Sequence, residues 1–259
     1  MHKDYSPDEI RHLLDIMILR FNTPDFILTD PIQFPRSYTL KQDIEVSALL
    51  TAIITWGKRS MILKSAKKMH DIMGNSPYDY IMGEGYKTLG KSNIHRTFFE
   101  DDLAYVSRGL NKVYHTYDSL ESLFSTLPHN KERLWQGVTT LREFIVSANE
   151  EYSVKSLKHV SNPQASSACK RLHLAIKWLV RDDGIVDIGL WKDIHPSELQ
   201  IPLDVHVGNI ARKLGLLERK QNDRRAVEEL TAKLRIFNPD DPVIYDYALF
   251  GIGESKTEI

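Results

Sequence analysis

What most constrains this chain is the spacing of its apolar residues, which recur every three or four positions along most of its length. Ile10, Leu13, Leu14, Met17 and Ile18 form one such series, Ile44, Leu49, Leu50, Ile53 and Ile54 a second, and Ala226, Val227, Leu230 and Leu234 a third. Residues at that spacing share one face of a helix, whereas a half-buried strand alternates with a period of two. The punctuation agrees. Ser6, Pro7 and Glu9 have the order of a capping box with proline in the first turn. The chain has only 13 Gly and 11 Pro in 259 residues, too few for a turn-rich β protein. The expected fold class is all-α.

The spacing predicts helices over 6–20, from Gln42 to a turn at Trp56-Gly57 with Gly57 as a left-handed cap, over 60–73 closed by Gly74, and over 78–81 and 98–113. Others follow over 120–123, 134–148, 168–180, 205–214 and 224–235, with a last one opened by Asp241-Pro242 and ending in Gly253. Asp25–Tyr38, with Pro31 and Pro35, reads as an ordered loop. Ser153–Ser167 is a polar approach broken at Asn162-Pro163, and 181–200 is a connection. No internal repeat or low-complexity segment is present.

Apolar residues make up 42% of the chain, enough for a sizeable core, yet no apolar run is long enough to span a bilayer. The opening residues Met1–Ser6 lack the apolar centre of a signal peptide, so the expected location is the cytoplasm. The single cysteine, Cys169, excludes an internal disulfide, an iron–sulfur cluster and a cysteine-rich zinc site; it is expected to be a small buried hydrophobe. A net charge of −1 does not announce a nucleic-acid binder. Charge is uneven, however: residues 153–225 hold 13 Lys and Arg against 8 Asp and Glu.

Two segments carry candidate chemistry. In Pro202-Leu203-Asp204-Val205-His206-Val207, Asp204 stands where an N-cap belongs, after an extended run and before an apolar-periodic helix. A capping role alone accounts for it equally well. In Ser167-Ala168-Cys169-Lys170-Arg171-Leu172, Lys170 falls at a helix start, where a solvent-facing lysine is the plain alternative. Lys177, two turns later, is its rival. Asp204 and His206 are too few ligands for a metal, and no metal or cofactor is expected. His95-Arg96 could touch phosphate or pack, and Trp56 and Trp191 could stack on a base or fill the core.

Both segments resemble the helix-hairpin-helix DNA glycosylase superfamily. Leu203-Asp204-Val205-His206-Val207, followed by Lys213-Leu214-Gly215, is similar to the segment of endonuclease III that carries the catalytic aspartate, and the start of the Lys170 helix resembles the place of the catalytic lysine in lyase members. Asn162–Ser167 stands where the Gly-x-Gly hairpin would be. The lysine–aspartate separation of 34 positions is wider than in endonuclease III, so the archaeal 8-oxoguanine glycosylase branch is the closer analogue. The chain also resembles an uncharacterised bacterial family, domain of unknown function 2400, through Asp30-Pro31-Ile32-Gln33-Phe34-Pro35, Trp56-Gly57-Lys58-Arg59, Gly189-Leu190-Trp191 and the two segments above.

The resemblance implies two helical subdomains flanking a cleft, one formed by 1–42 with 153–259 and the other by 43–152. It implies Lys170 and Asp204 as catalytic residues of a DNA-repair glycosylase with lyase activity on a flipped, damaged base. DNA contacts are expected from Trp56, Lys58, Arg59, Ser166, Ser167, Arg171 and His206. A nucleic-acid-binding protein without catalysis, or a structural or interaction protein, are the other readings of the same scaffold.

Overall fold

The computed structural model describes residues 5–152, 154–255 and 257. The expectations for the leading residues 1–4, and the subdomain boundary placed at Ser153, fall outside them. The described chain is all-α. Its helices are α1 (Pro7–Phe21), α2 (Pro24–Thr29), α3 (Lys41–Ile53), α4 (Arg59–Ile72), α5 (Pro77–Met82), α6 (Glu100–Thr116), α7 (Leu120–Ser125), α8 (Arg133–Ser147), α9 (Lys170–Val180), α10 (Val205–Lys213), α11 (Arg224–Phe237) and α12 (Tyr245–Ser255). The sheet among the described residues is a single antiparallel pair, β1 (Asn93–His95) with β2 (Phe98–Phe99). No described helix is long and apolar enough to cross a membrane.

The capping box at α1 forms as its residues dictate: the Ser6 hydroxyl accepts from Glu9 N–H, and Glu9 Oε2 accepts from Ser6 N–H at 2.8 Å. Where boundaries move, the causes are local. Residues 25–38 are not a loop. Pro24, Pro31 and Pro35 each sit in the first turn of a short helical segment, where a missing N–H does no harm, and Asp30 caps the second by accepting from Ile32 N–H. α3 ends at Ile53 rather than at Gly57, because Ile54 and Thr55 turn back onto the Thr51 and Ala52 carbonyls. Gly57 takes its positive φ of 96° beyond that turn. Phe98 and Phe99 are in the strand pair; the Asp102 carboxylate accepts from Phe99 N–H and starts α6 two residues later than periodicity alone implies. α9 starts at Lys170 rather than Ala168, since Cys169 is left-handed at φ 47°. α12 runs through Gly253 to Ser255.

One apolar cluster runs through the molecule, from Ile10 and Leu14 to Leu249 and Ile252. α3 lies at its centre, buried on every side from Ile44 to Ile53, and packs against α9; α12 packs against both α1 and α10. A carboxylate inside such a core must be hydrogen-bonded to be tolerable. Glu45 of α3 accepts from Leu120 and Glu121 N–H, the Tyr114 hydroxyl and Trp191 Nε1, which ties α3 to α6, α7 and the 181–204 connection. Trp191 is therefore a core residue, and its alternative as a base-stacking side chain falls. His95 is likewise buried, with its ring nitrogens at Ser65 Oγ (2.9 Å) and the Trp56 carbonyl (2.8 Å), so it packs rather than meets phosphate. Cys169 is buried, as its lone occurrence implied.

The 181–204 connection has little regular structure, yet it is pinned. Buried Arg181 bonds Asp187, Asp183 (3.1 Å) and Asp241 (2.8 Å), while Ile188 and Trp191 N–H bond the Trp178 and Leu179 carbonyls at the end of α9. This fixes the path that delivers Asp204 to the start of α10.

Candidate functional site

A cavity of about 820 Å³ opens where the N-termini of α9 and α10 meet the turn after α3 and one face of α12. It is within the size range of small-molecule and nucleotide sites. Along α9, Lys170, Leu174, Lys177 and Trp178 line it, a stripe at helical spacing about two turns long. From the central stretch come Thr55, Trp56 and Arg59; from α12, Asp246, Tyr247 and Phe250.

Asp204 is the N-cap of α10. Its Oδ1 accepts from Val207 N–H at 2.8 Å, as a capping aspartate does. Its backbone carbonyl accepts from Asn222 Nδ2 at 2.9 Å, which fixes the residue from behind. The second carboxylate oxygen is thereby left for the cavity, where Oδ2 stands 3.9 Å from Lys170 Nζ, inside the 3 to 7 Å that the geometry of two neighbouring helix starts allows. The capping role and the cavity-facing position thus belong to different oxygens of one side chain.

Lys170 and Arg171 open α9 with no acidic residue in its first turn. Cations are disfavoured there, because exposed backbone N–H groups make a helix N-terminus electropositive. Two carbonyls from the end of α3 offset this: Lys170 Nζ donates to Thr55 O (3.3 Å) and an Arg171 Nη to Ile53 O (2.8 Å). Burial holds the Lys170 ammonium below the ordinary lysine range; the Asp204 carboxylate pulls the other way, and the Arg171 charge adds to the lowering. The side chains of Lys170 and Asp204 remain 27% and 17% exposed, so solvent and ligand reach both. Lys177 differs. It is 2% exposed, donates to Asp246 Oδ2 at 2.8 Å, and lies 3.6 Å over the centre of the Tyr247 ring.

The structure brings Trp56, Arg59, Ser167, Arg171 and His206 to the cavity wall. Arg171 lies over the Trp56 ring at 5.1 Å, and His159 stacks on the same indole at 5.6 Å. Arg59 stands 5.4 Å from the ring centres of both Phe26 and Phe250 and pairs with Glu254 at 3.0 Å. Lys58 and Ser166 are exposed but do not line the cavity. Among the described residues, no group of three His, Cys, Asp or Glu is arranged to hold a metal.

Residues that spacing gave no role complete the floor: Phe26, Asp30, Asp246 and Phe250. Asp30 carries a usable signal, since an Asp before proline is a cap in search of a helical turn. Asp246 gives none, its partner Lys177 being 69 positions away.

Residues 30–255 match the family described as a protein of unknown function, DUF2400. The chain belongs to that family. No curated protein and no solved structure matches it.

Proposed function

We propose that the cavity is the active site of a DNA N-glycosylase with lyase activity, of the helix-hairpin-helix kind, lying between two helical subdomains and taking a damaged nucleotide flipped out of the duplex. The observation that carries the reading is Lys170: a lysine placed at the electropositive end of a helix, held below its ordinary pKa by burial, 3.9 Å from a carboxylate and open to a nucleotide-sized cavity.

The chemistry follows from those two groups. A glycosidic carbon cannot be reached inside the stack, so the nucleotide is extruded first. Neutral Lys170 Nζ attacks C1′ of the sugar; the C1′–N bond breaks, and the base leaves with the bonding electron pair and takes up a proton. The attacking nitrogen gives one proton to Asp204 Oδ2, directly or through water; the C1′–O4′ bond then breaks, O4′ takes up that proton, and the nitrogen keeps its second proton in the Schiff base. Before that transfer, the Asp204 carboxylate stabilises the positive charge that develops on the sugar. Asp204 Oδ2, its proton passed to O4′, then takes a C2′ proton, and the C3′–O bond breaks with its electron pair on the departing phosphate, which cleaves the strand. Arg171, Ser167 and His206 flank the pair and are placed to hold the backbone on either side of the extruded nucleotide, with Lys58 and Ser166 further out on the same surface.

Borohydride reduces a Schiff base to a stable cross-link, which makes the test direct. A duplex with a preformed abasic site is expected to be trapped by the native protein and not by Lys170→Gln. If neither is trapped while binding to duplex falls steeply with salt, the scaffold binds nucleic acid without catalysis.

A further inference from the structure

The inner end of the cavity is chemically distinct from its mouth. Lys170 and Lys177 lie seven residues apart on one face of α9, about 10.5 Å of rise, and the first is partly open while the second is buried. A nucleotide whose sugar meets Lys170 and whose base points inward therefore presents its far edge to the groups around Lys177.

Two of those groups have hydrogen-bonding capacity left over. Asp30 is 8% exposed and lines the cavity. Its Oδ1 accepts from Ile32 N–H at 3.0 Å, and among the described residues no protein donor reaches its other oxygen. Burial pushes its carboxyl up to about 6, with the Ile32 N–H and the charges of Arg59 and Lys177 opposing, so both cations are near. Lys177 has three N–H donors; one goes to Asp246 and the ammonium stands over the Tyr247 ring, which leaves a donor for a ligand. An unspent acceptor and an unspent donor thus line the same aromatic-walled space, beside Phe26 and Phe250.

We propose that this inner end is a base-recognition site, with Asp30 and Lys177 as specificity-determining residues, and that it selects a base presenting a ring N–H beside an exocyclic C=O. Such a lactam edge resembles a peptide unit, which carries a dipole of about 3.5 D, and it lies with its oxygen towards Lys177 and its N–H towards Asp30. Uracil and hypoxanthine have this edge; cytosine and adenine carry an amine and a bare ring nitrogen in its place. The inference rests on the glycosylase reading for the pose of the nucleotide.

The Ile32 N–H makes the test sharp. In Asp30→Asn the amide oxygen must accept that N–H, which forces the NH2 group into the cavity and turns an acceptor into a donor at one position. Binding is measured with duplexes carrying single 2′-fluoroarabino nucleotides, which resist glycosidic cleavage, in matched pairs: uracil against cytosine and hypoxanthine against adenine, opposite a common partner. The native protein is expected to prefer the lactam member roughly tenfold, the discrimination of one well-formed pair of hydrogen bonds. Asp30→Asn is expected to bring the two members of each pair to nearly equal binding, because each edge then meets one matched and one mismatched group, and Asp30→Ser, which keeps a capping oxygen but is too short to reach the base, to weaken the preference to the part that Lys177 supplies. Equal binding of the pair members by the native protein, a native preference for cytosine and adenine, or an Asp30→Asn preference like the native one would each overturn the inference. Trapping of the native protein on an abasic duplex, which contains no base at the site, reports separately on Lys170. A lactam preference without trapping sinks the lyase role of Lys170 alone, and trapping without the preference sinks this inference alone.

Discussion

The two ends of the α9 stripe carry the same residue type in opposite situations. At the outer end Lys170 faces Asp204 across 3.9 Å, partly solvated, with burial lowering its affinity for a proton. At the inner end Lys177 is locked on Asp246 at 2.8 Å and covered by Tyr247. A third titratable group lies between them on the same helix: His173 is buried against the edge of Trp135, neither ring nitrogen has a hydrogen-bond partner, and burial together with the Arg224 charge lowers its pKa to about 3. The difference teaches what separates an ion pair open to a ligand from one closed by the core. A tight buried pair holds both partners in one place. A loose contact at the edge of solvent leaves the amine free to give up its proton and to move.

Breaking the outer end should produce the largest effect. Lys170→Gln is expected to remove cross-linking altogether while the midpoint of thermal unfolding barely moves, since a partly exposed ion pair contributes about 0 to 1 kcal/mol. An equal fall in stability and trapping would make Lys170 structural.

Asp204→Asn separates the two oxygens of that residue. Asparagine is as good a cap as aspartate, so unfolding by urea should be nearly unchanged. Single-turnover trapping should slow by about 10² to 10⁴, the usual contribution of a positioned acid–base group. A stability loss above about 1 kcal/mol, the typical value of a cap, would mean that the carboxylate is needed for α10 rather than for chemistry.

The inner end should fail in the opposite way. Lys177→Met leaves Asp246 without its partner in a buried place, and removal of one member of a buried pair destabilises by about 3 to 5 kcal/mol. Urea unfolding is the measurement. A loss under about 1 kcal/mol would place Lys177 in the same class as Lys170.

Near neutral pH the smallest effect belongs to His173, and it appears as a slope. The unfolded chain binds a proton at this residue near pH 6.5, the folded chain only near pH 3. Stability should therefore fall as pH drops through that window, by about 1.4 kcal/mol per unit at most. His173→Phe should flatten the slope, and it should not weaken the protein at pH 7.5, because an apolar ring leaves no unpaired nitrogen behind. An unchanged slope would show that His173 is charged or solvated in the fold.

What sequence shows and hides here follows from the range of the forces involved. The all-α class and the caps at Ser6 and Asp204 are legible because a cap is decided within four residues. The position of Lys170 at a helix start is nearly so, displaced only by the left-handed Cys169. Gly57 misleads, because the end of α3 is set by the Ile54 and Thr55 N–H groups turning back onto the Thr51 and Ala52 carbonyls and by the α9 cations that hold the Ile53 and Thr55 carbonyls, and spacing along α3 contains neither. The floor of the cavity is the least legible part. Asp30 comes within electrostatic reach of Arg59 and Lys177, and Lys177 bonds Asp246, only after the chain has closed.

Lys170 and Arg171, adjacent in the chain, hold the Thr55 and Ile53 carbonyls. The first turn of α9 and the tail of α3 are thus fastened at two points, so one wall of the cavity is braced by side-chain-to-carbonyl bonds, whereas Asp204 on the other wall is held by the first turn of α10 and by Asn222. A substitution at either cation loosens two elements at once, and one at Asn222 loosens Asp204 alone.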